Sequence, residues 1–120
     1  MDRTPDDITA LVESELARFR FNDVKEAFEK TLTAPERQER EWEYGPGGTS
    51  FECWVVARVS HEWGIAYCQF GYGPSSPWGV VNLHDQTYFG PDSCWYARLE
   101  DAFIAAVPWK GPLPDDYEVE

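Results

Sequence analysis

The sequence predicts an α+β domain: an antiparallel sheet of about four strands, running as a meander around a central hairpin at 51–72, packed with two N-terminal helices and one C-terminal helix. Three observations predict it. Apolar residues recur at helical spacing over 8–32 and again over 99–107. Between them, 51–72 holds two β-rich runs broken once, at 61–64. A chain of 120 residues is long enough for one core but not for two. Residues 1–120 therefore read as a single domain with a helical pair at 1–35, a sheet at 37–83, a helix at 93–107 and a loose acidic tail at 111–120.

Thr4, Pro5, Asp6 and Asp7 mark a helix start. Thr4 is the expected N-cap, Pro5 fits the first helical position, and the two carboxylates face the positive end of the dipole. Ile8, Leu11, Val12, Leu16 and Phe19 continue the stripe to about Arg20. Asn22 is the expected second N-cap, and Val24, Ala27, Phe28 and Leu32 give a second stripe that ends before Pro35. From Arg37 to Tyr44 the period is two: Trp42 and Tyr44 share one parity, and Glu39, Glu41 and Glu43 the other. That pattern fits a strand with one wet face, and its Glu-rich start also fits an extended helix. Gly45, Pro46, Gly47 and Gly48 form a turn.

In the central hairpin, Phe51, Cys53, Val55, Ala57 and Val59 are all apolar and are expected on one core-facing side. A two-residue loop places Ala57 opposite Cys68, Val55 opposite Phe70 and Cys53 opposite Tyr72; a three-residue loop with Gly64 as a bulge flips that pairing. Neither register brings Cys53 and Cys68 together. Trp54 and Val56 share the second face with Ile65 and Tyr67, so both faces require cover, one from helices and the other from a further layer or a partner. Residues 71–79 (GYGPSSPWG) read as a shaped loop, 80–83 as a short strand, and 84–91 as a loop. Asp92 or Ser93 then caps a last helix carrying Leu99, Ala102, Phe103, Ala106 and Val107, which Pro108 ends.

The net charge of −12 comes from 22 acidic against 10 basic side chains, and both halves of the chain share it. It argues against contact with a phosphate backbone or an anionic membrane, and it favours a basic protein partner. No apolar run approaches a membrane span, and the N-terminus MDRTPDD lacks the order of a secretory signal, so a cytoplasmic chain is expected. Three widely spaced cysteines, Cys53, Cys68 and Cys94, without a CxxC pair argue against a disulfide framework and a zinc knuckle.

Catalytic signals are sparse. His61 and Glu62 begin like HExxH, but position 65 is Ile, so the second ligand is missing and no metal or other cofactor is expected. Cys94, at the expected first turn of the last helix, forms a Cys/His/Asp constellation with His84 and Asp85 or Asp92, in which the dipole would lower the thiol pKa. Gly71, Gly73 and Gly79 lack the Lys of a phosphate loop. Tyr72, Trp78, Tyr88, Phe89 and Trp95 suit a core, an interface or a stacking pocket. Glu39, Glu41 and Glu43 on one strand face would set carboxylates about 7 Å apart, the spacing of a phosphate backbone.

In size, acidity and architecture the chain resembles small bacterial immunity proteins that neutralise a secreted or contact-delivered toxin. The resemblance implies occlusion without catalysis. An acidic patch, with Glu39, Glu41 and Glu43, steers toward a basic active site, and Trp42, Tyr72 and Trp78 anchor the contact. Two alternatives are a DNA mimic that blocks a nuclease or other DNA-binding protein, and an enzyme using Cys94.

Overall fold

Thr4 opens the first helix, α1 (Pro5–Leu16), through a reciprocal cap: its hydroxyl accepts the Asp7 N–H at 3.2 Å while the Asp7 carboxylate accepts the Thr4 N–H at 2.9 Å. The structure, a computed structural model of the chain, describes residues 4–41, 50–70, 72, 75–85, 88 and 92–106. Helix α1 stops at Leu16, short of the expected Arg20, because the last turn tightens to Arg18 N–H→Glu15 O and Phe19 N–H→Leu16 O bonds. Helix α2 (Asn22–Glu29) follows, with Phe21 and not Asn22 at the cap position and no side-chain cap of its own. The Glu100 carboxylate instead accepts the N–H groups of Arg20 at 3.0 Å and Phe21 at 3.1 Å.

Among the described residues the sheet contains five strands, β1 (Leu32–Glu41), β2 (Ser50–Arg58), β3 (Trp63–Tyr67), β4 (Trp78–Asn82) and β5 (Trp95–Tyr96), in the order β1-β2-β3-β4-β5 with every pairing antiparallel. It is a meander, one strand more than expected. Leu32 opens β1 instead of closing the second helix, and Pro35 lies within the strand. Both fit the sheet border: β1 is a terminal strand, and its register with β2 shifts between Leu32 and Glu36, where a residue without an N–H is tolerated. Helix α3 (Leu99–Ala106) begins six residues later than expected, after a 3-10 turn (Asp92–Cys94) and β5. Its first N–H, on Leu99, is taken by Glu15 of α1 at 2.9 Å, so the cap comes from across the fold and not from Asp92 or Ser93.

Neither expected hairpin register is formed. Val59 and Ser60 both donate backbone N–H groups to Trp63 O, closing a loop over 60–62. Pairs Arg58↔Gly64 and Ala57↔Ile65 follow, then the register slips by one at Val56 to Val55↔Ala66 and Trp54↔Tyr67. This bulge splits the apolar set. Val56 and Ala57 turn toward the helices with Trp54, Ile65, Tyr67 and Trp78, while Cys53 and Val55 face the other side with Ala66, Cys68, Val81, Leu83 and Trp95.

Two cores result. The helix-side core takes Ile8 and Val12 from α1, Val24 and Phe28 from α2, and Leu99, Ala102 and Phe103 from α3. Phe28 meets Phe103 edge-on at 5.4 Å. On the opposite face, loop residues Leu83, Tyr72 and Cys94 pack with β5 over the sheet. Trp54 and Tyr67 are only 4% and 7% exposed, so the chain itself covers both faces of the hairpin.

Candidate partner-binding surface

The wet face of β1 carries the predicted acidic row, and it is laced with arginine. Glu39 is exposed and Glu41 half-buried. Arg37 bonds Glu52 at 2.9 Å and Glu39 at 3.1 Å, Ser50 donates to Glu39 at 3.2 Å, and Glu52 also accepts the Trp54 indole N–H at 2.7 Å. Glu52 and then Glu39 hold the Arg37 guanidinium above its usual pKa. One step toward the start of the strand, Glu36 pairs with Arg58 at 2.8 Å. Trp42 and Glu43 lie outside the described residues.

The aromatic anchors separate. Trp78 is 3% exposed in the helix-side core, its ring 5.0 Å from that of Tyr67, and so presents nothing to a surface contact. Tyr72 is half-buried, 6.4 Å ring to ring from Trp95. The large apolar side chains that do reach solvent among the described residues are Phe70 at 65%, Tyr88, Leu32 and Trp63. Phe70 escaped sequence reasoning because the two-residue register paired it with Val55, whereas β3 ends at Tyr67 and leaves it beyond the strand.

Sequence reasoning also missed a groove of about 490 Å³ between α1 and the first half of β1. Val12, Leu16, Leu32, Ala34, Pro35 and Val56 supply its apolar wall, and Asp6 and Glu13 of α1 set carboxylates along it. Its residues come from three stretches of the chain, and it lies where β1 changes register. An apolar trough with an acidic border can receive an aliphatic side chain flanked by cationic ones.

The helix-dipole part of the Cys94 reading does not hold. Cys94 ends a 3-10 turn and precedes a strand, so no α-helix N-terminus acts on its thiol. It is half-buried against the loop-side core. His84 is exposed, and its ring lies 4.6 Å from that of His61. His61 and Glu62 sit in the hairpin loop and not on a helix. Among the described residues, no group of three or more His, Cys, Asp or Glu side chains is arranged to hold a metal ion.

Arg40 is the least expected residue of the face behind the acidic row. It is fully buried, and its guanidinium donates to Gln38 Oε1 at 2.8 Å and to the carbonyls of Asn82 at 2.9 Å, Asp85 at 3.2 Å and Tyr88 at 2.9 Å. Burial lowers its pKa, against the opposing pull of Cys53 and Asp85. This one side chain ties β1 to the 82–88 loop, next to the parallel bridge between Glu41 and Tyr88. No family model, curated protein or solved structure matches this chain. Among the described residues, no helix is long and apolar enough to cross a membrane.

Proposed function

We propose that this chain is an inhibitor of the immunity type, which binds a basic toxin or effector protein and occludes it without chemistry of its own. The observation that carries the reading is the groove between α1 and β1: an apolar trough bordered by Asp6 and Glu13, on a chain of net charge −12. Long-range attraction to a basic surface accelerates encounter, and burial of an apolar anchor in the trough then slows release. Glu39 and Glu41 extend the acidic contact along β1, Trp42 and Glu43 being the next residues of the same acidic run in the sequence, and Tyr72 and Phe70 offer further apolar area.

The interleaving of Arg37 and Arg58 with Glu36, Glu39 and Glu52 favours this reading over a DNA mimic, because those cations interrupt any regular row of negative charge. The test is affinity capture from the native host with the tagged chain and with an Asp6→Lys/Glu13→Lys variant checked for native circular dichroism. A basic protein retained by the native chain, eluted by salt and not retained by the variant is the expected result. Retention that neither salt nor the variant reduces contradicts the proposal, and displacement of the partner by duplex DNA transfers support to the DNA-mimic reading.

A further inference from the structure

The bulge at Val56 changes the relation of two cysteines that simple hairpin registers keep apart. With Trp54 opposite Tyr67 and Val55 opposite Ala66, the same register carried one step past the end of β3 sets Cys53 opposite Cys68. Both side chains are fully buried in the loop-side core, and their thiols hydrogen-bond to each other. The Cys68 N–H is held by Pro77 O at 2.8 Å, which fixes its backbone as the strand ends. Directly opposed residues of antiparallel strands have Cα atoms about 4.5–5.5 Å apart, inside the range of about 4.4–6.8 Å that a disulfide spans.

We propose that Cys53 and Cys68 are a cross-strand dithiol that hydrogen peroxide converts, within the folded chain, into a disulfide stapling β2 to the end of β3. This inference is independent of the partner-binding proposal. One thiolate attacks a peroxide oxygen, giving a sulfenic acid and a hydroxide that leaves as water with the thiol's proton. The second thiolate then attacks the sulfenic sulfur, forming the S–S bond and releasing a second water. In sum, two thiols and one peroxide give one disulfide and two waters; each sulfur loses one electron and the peroxide gains two.

The surroundings set the rate. The hydrogen bond to Cys68 and then burial push the Cys53 thiol well above its usual pKa, while the Arg40 charge works in the opposite direction. Gln38, the strand partner of Cys53 on β1, is buried, and its Nε2 has no hydrogen-bond partner among the described residues. The reaction is therefore slow at neutral pH and accelerates as pH rises.

The experiment treats the folded, full-length Cys94→Ser chain with hydrogen peroxide and follows intact mass, non-reducing peptide maps and thermal unfolding. The Cys94 substitution removes the half-buried thiol of the same core as a competing partner. Expected are a mass loss of about 2 Da, a peptide linking 53 to 68, and a reversible rise in melting midpoint on the order of 10 °C. Sulfinic or sulfonic adducts at Cys53 or Cys68 without a bond overturn the proposal. So does a bond that forms only in denaturant, or native-sequence protein that pairs only through Cys94. A Cys68→Ser/Cys94→Ser chain should show no mass loss; if it does not fold, the peptide map of the Cys94→Ser chain decides alone.

Discussion

Arg40 places a positive charge in the interior with a hydrogen-bond acceptor on several sides, and all but one of those acceptors are backbone carbonyls of the 82–88 region. Such a group is costly to bury and more costly to half-satisfy. Arg40→Met leaves the carbonyls of Asn82, Asp85 and Tyr88 without that donor and should lower unfolding free energy by about 1–3 kcal/mol in denaturant titrations, and should speed hydrogen exchange at 82–85. Arg40→Lys should recover only part, because a single ammonium cannot reproduce the planar fork. Unaltered stability in both would mean that the loop is held by something else. In the sequence, Arg40 shares the parity of Trp42 and Tyr44, behind the glutamate row, but no local signal marks a buried guanidinium there; the acceptors that hold it come from a loop more than 40 positions away. The caps were hidden for the same reason. Asn22 and Ser93 are good local caps, but the N–H groups of Phe21, just before α2, and of Leu99, the first of α3, go to Glu100 and Glu15, both largely buried and drawn from opposite ends of the chain. Arg20 completes the first of these, bonding Glu100 at 2.8 Å and Asp101 at 2.7 Å.

Among the elements, the helices and the strand-rich centre were legible because periods of 3.6 and 2 are written in side-chain type. Their borders were not. Leu32 fits both the α2 stripe and a strand, and Pro35 was read as a helix terminator because the tolerance of a terminal strand for proline depends on pairing that the sequence does not show. The bulge was invisible as well: Val56 carries no glycine-like signature, and only the competition between two cores explains why the alternation changes phase there. A further close approach fixes the border between β4 and β5. A Cβ at Gly79 would lie within the ring atoms of Trp95, its strand partner. Gly79→Ala should displace the Trp95 indole, lower stability by about 1–3 kcal/mol and change the near-ultraviolet circular dichroism of the tryptophans. A variant with native spectrum and midpoint would show that the ring does not sit on Gly79.

For the whole molecule, the fold class follows from the sequence, α+β with an antiparallel sheet and, among the described residues, three helices, whereas the candidate surface is only partly contained in it. Glu39 and Glu41 were recognisable from parity. The groove was not, because Val12, Leu32 and Val56 come together only when α1 lies along β1. Charge distribution sharpens the same point. Arg20, Arg37, Arg58 and Arg98 are engaged with the protein's own carboxylates, and Arg40 is sealed inside without bonding one. Among the described residues the buried charges are Arg40, Glu100 and Asp101, so the acidic excess lies largely at the surface, which is what an electrostatically steered inhibitor requires. The most direct measurement is a calorimetric titration of the captured basic partner at low and near-physiological salt, with the native chain and with a Glu39→Gln/Glu41→Gln/Glu43→Gln variant. Affinity should fall as salt rises, and the variant should bind roughly tenfold more weakly with a flatter salt dependence; an affinity that neither salt nor the three substitutions alter would contradict the account.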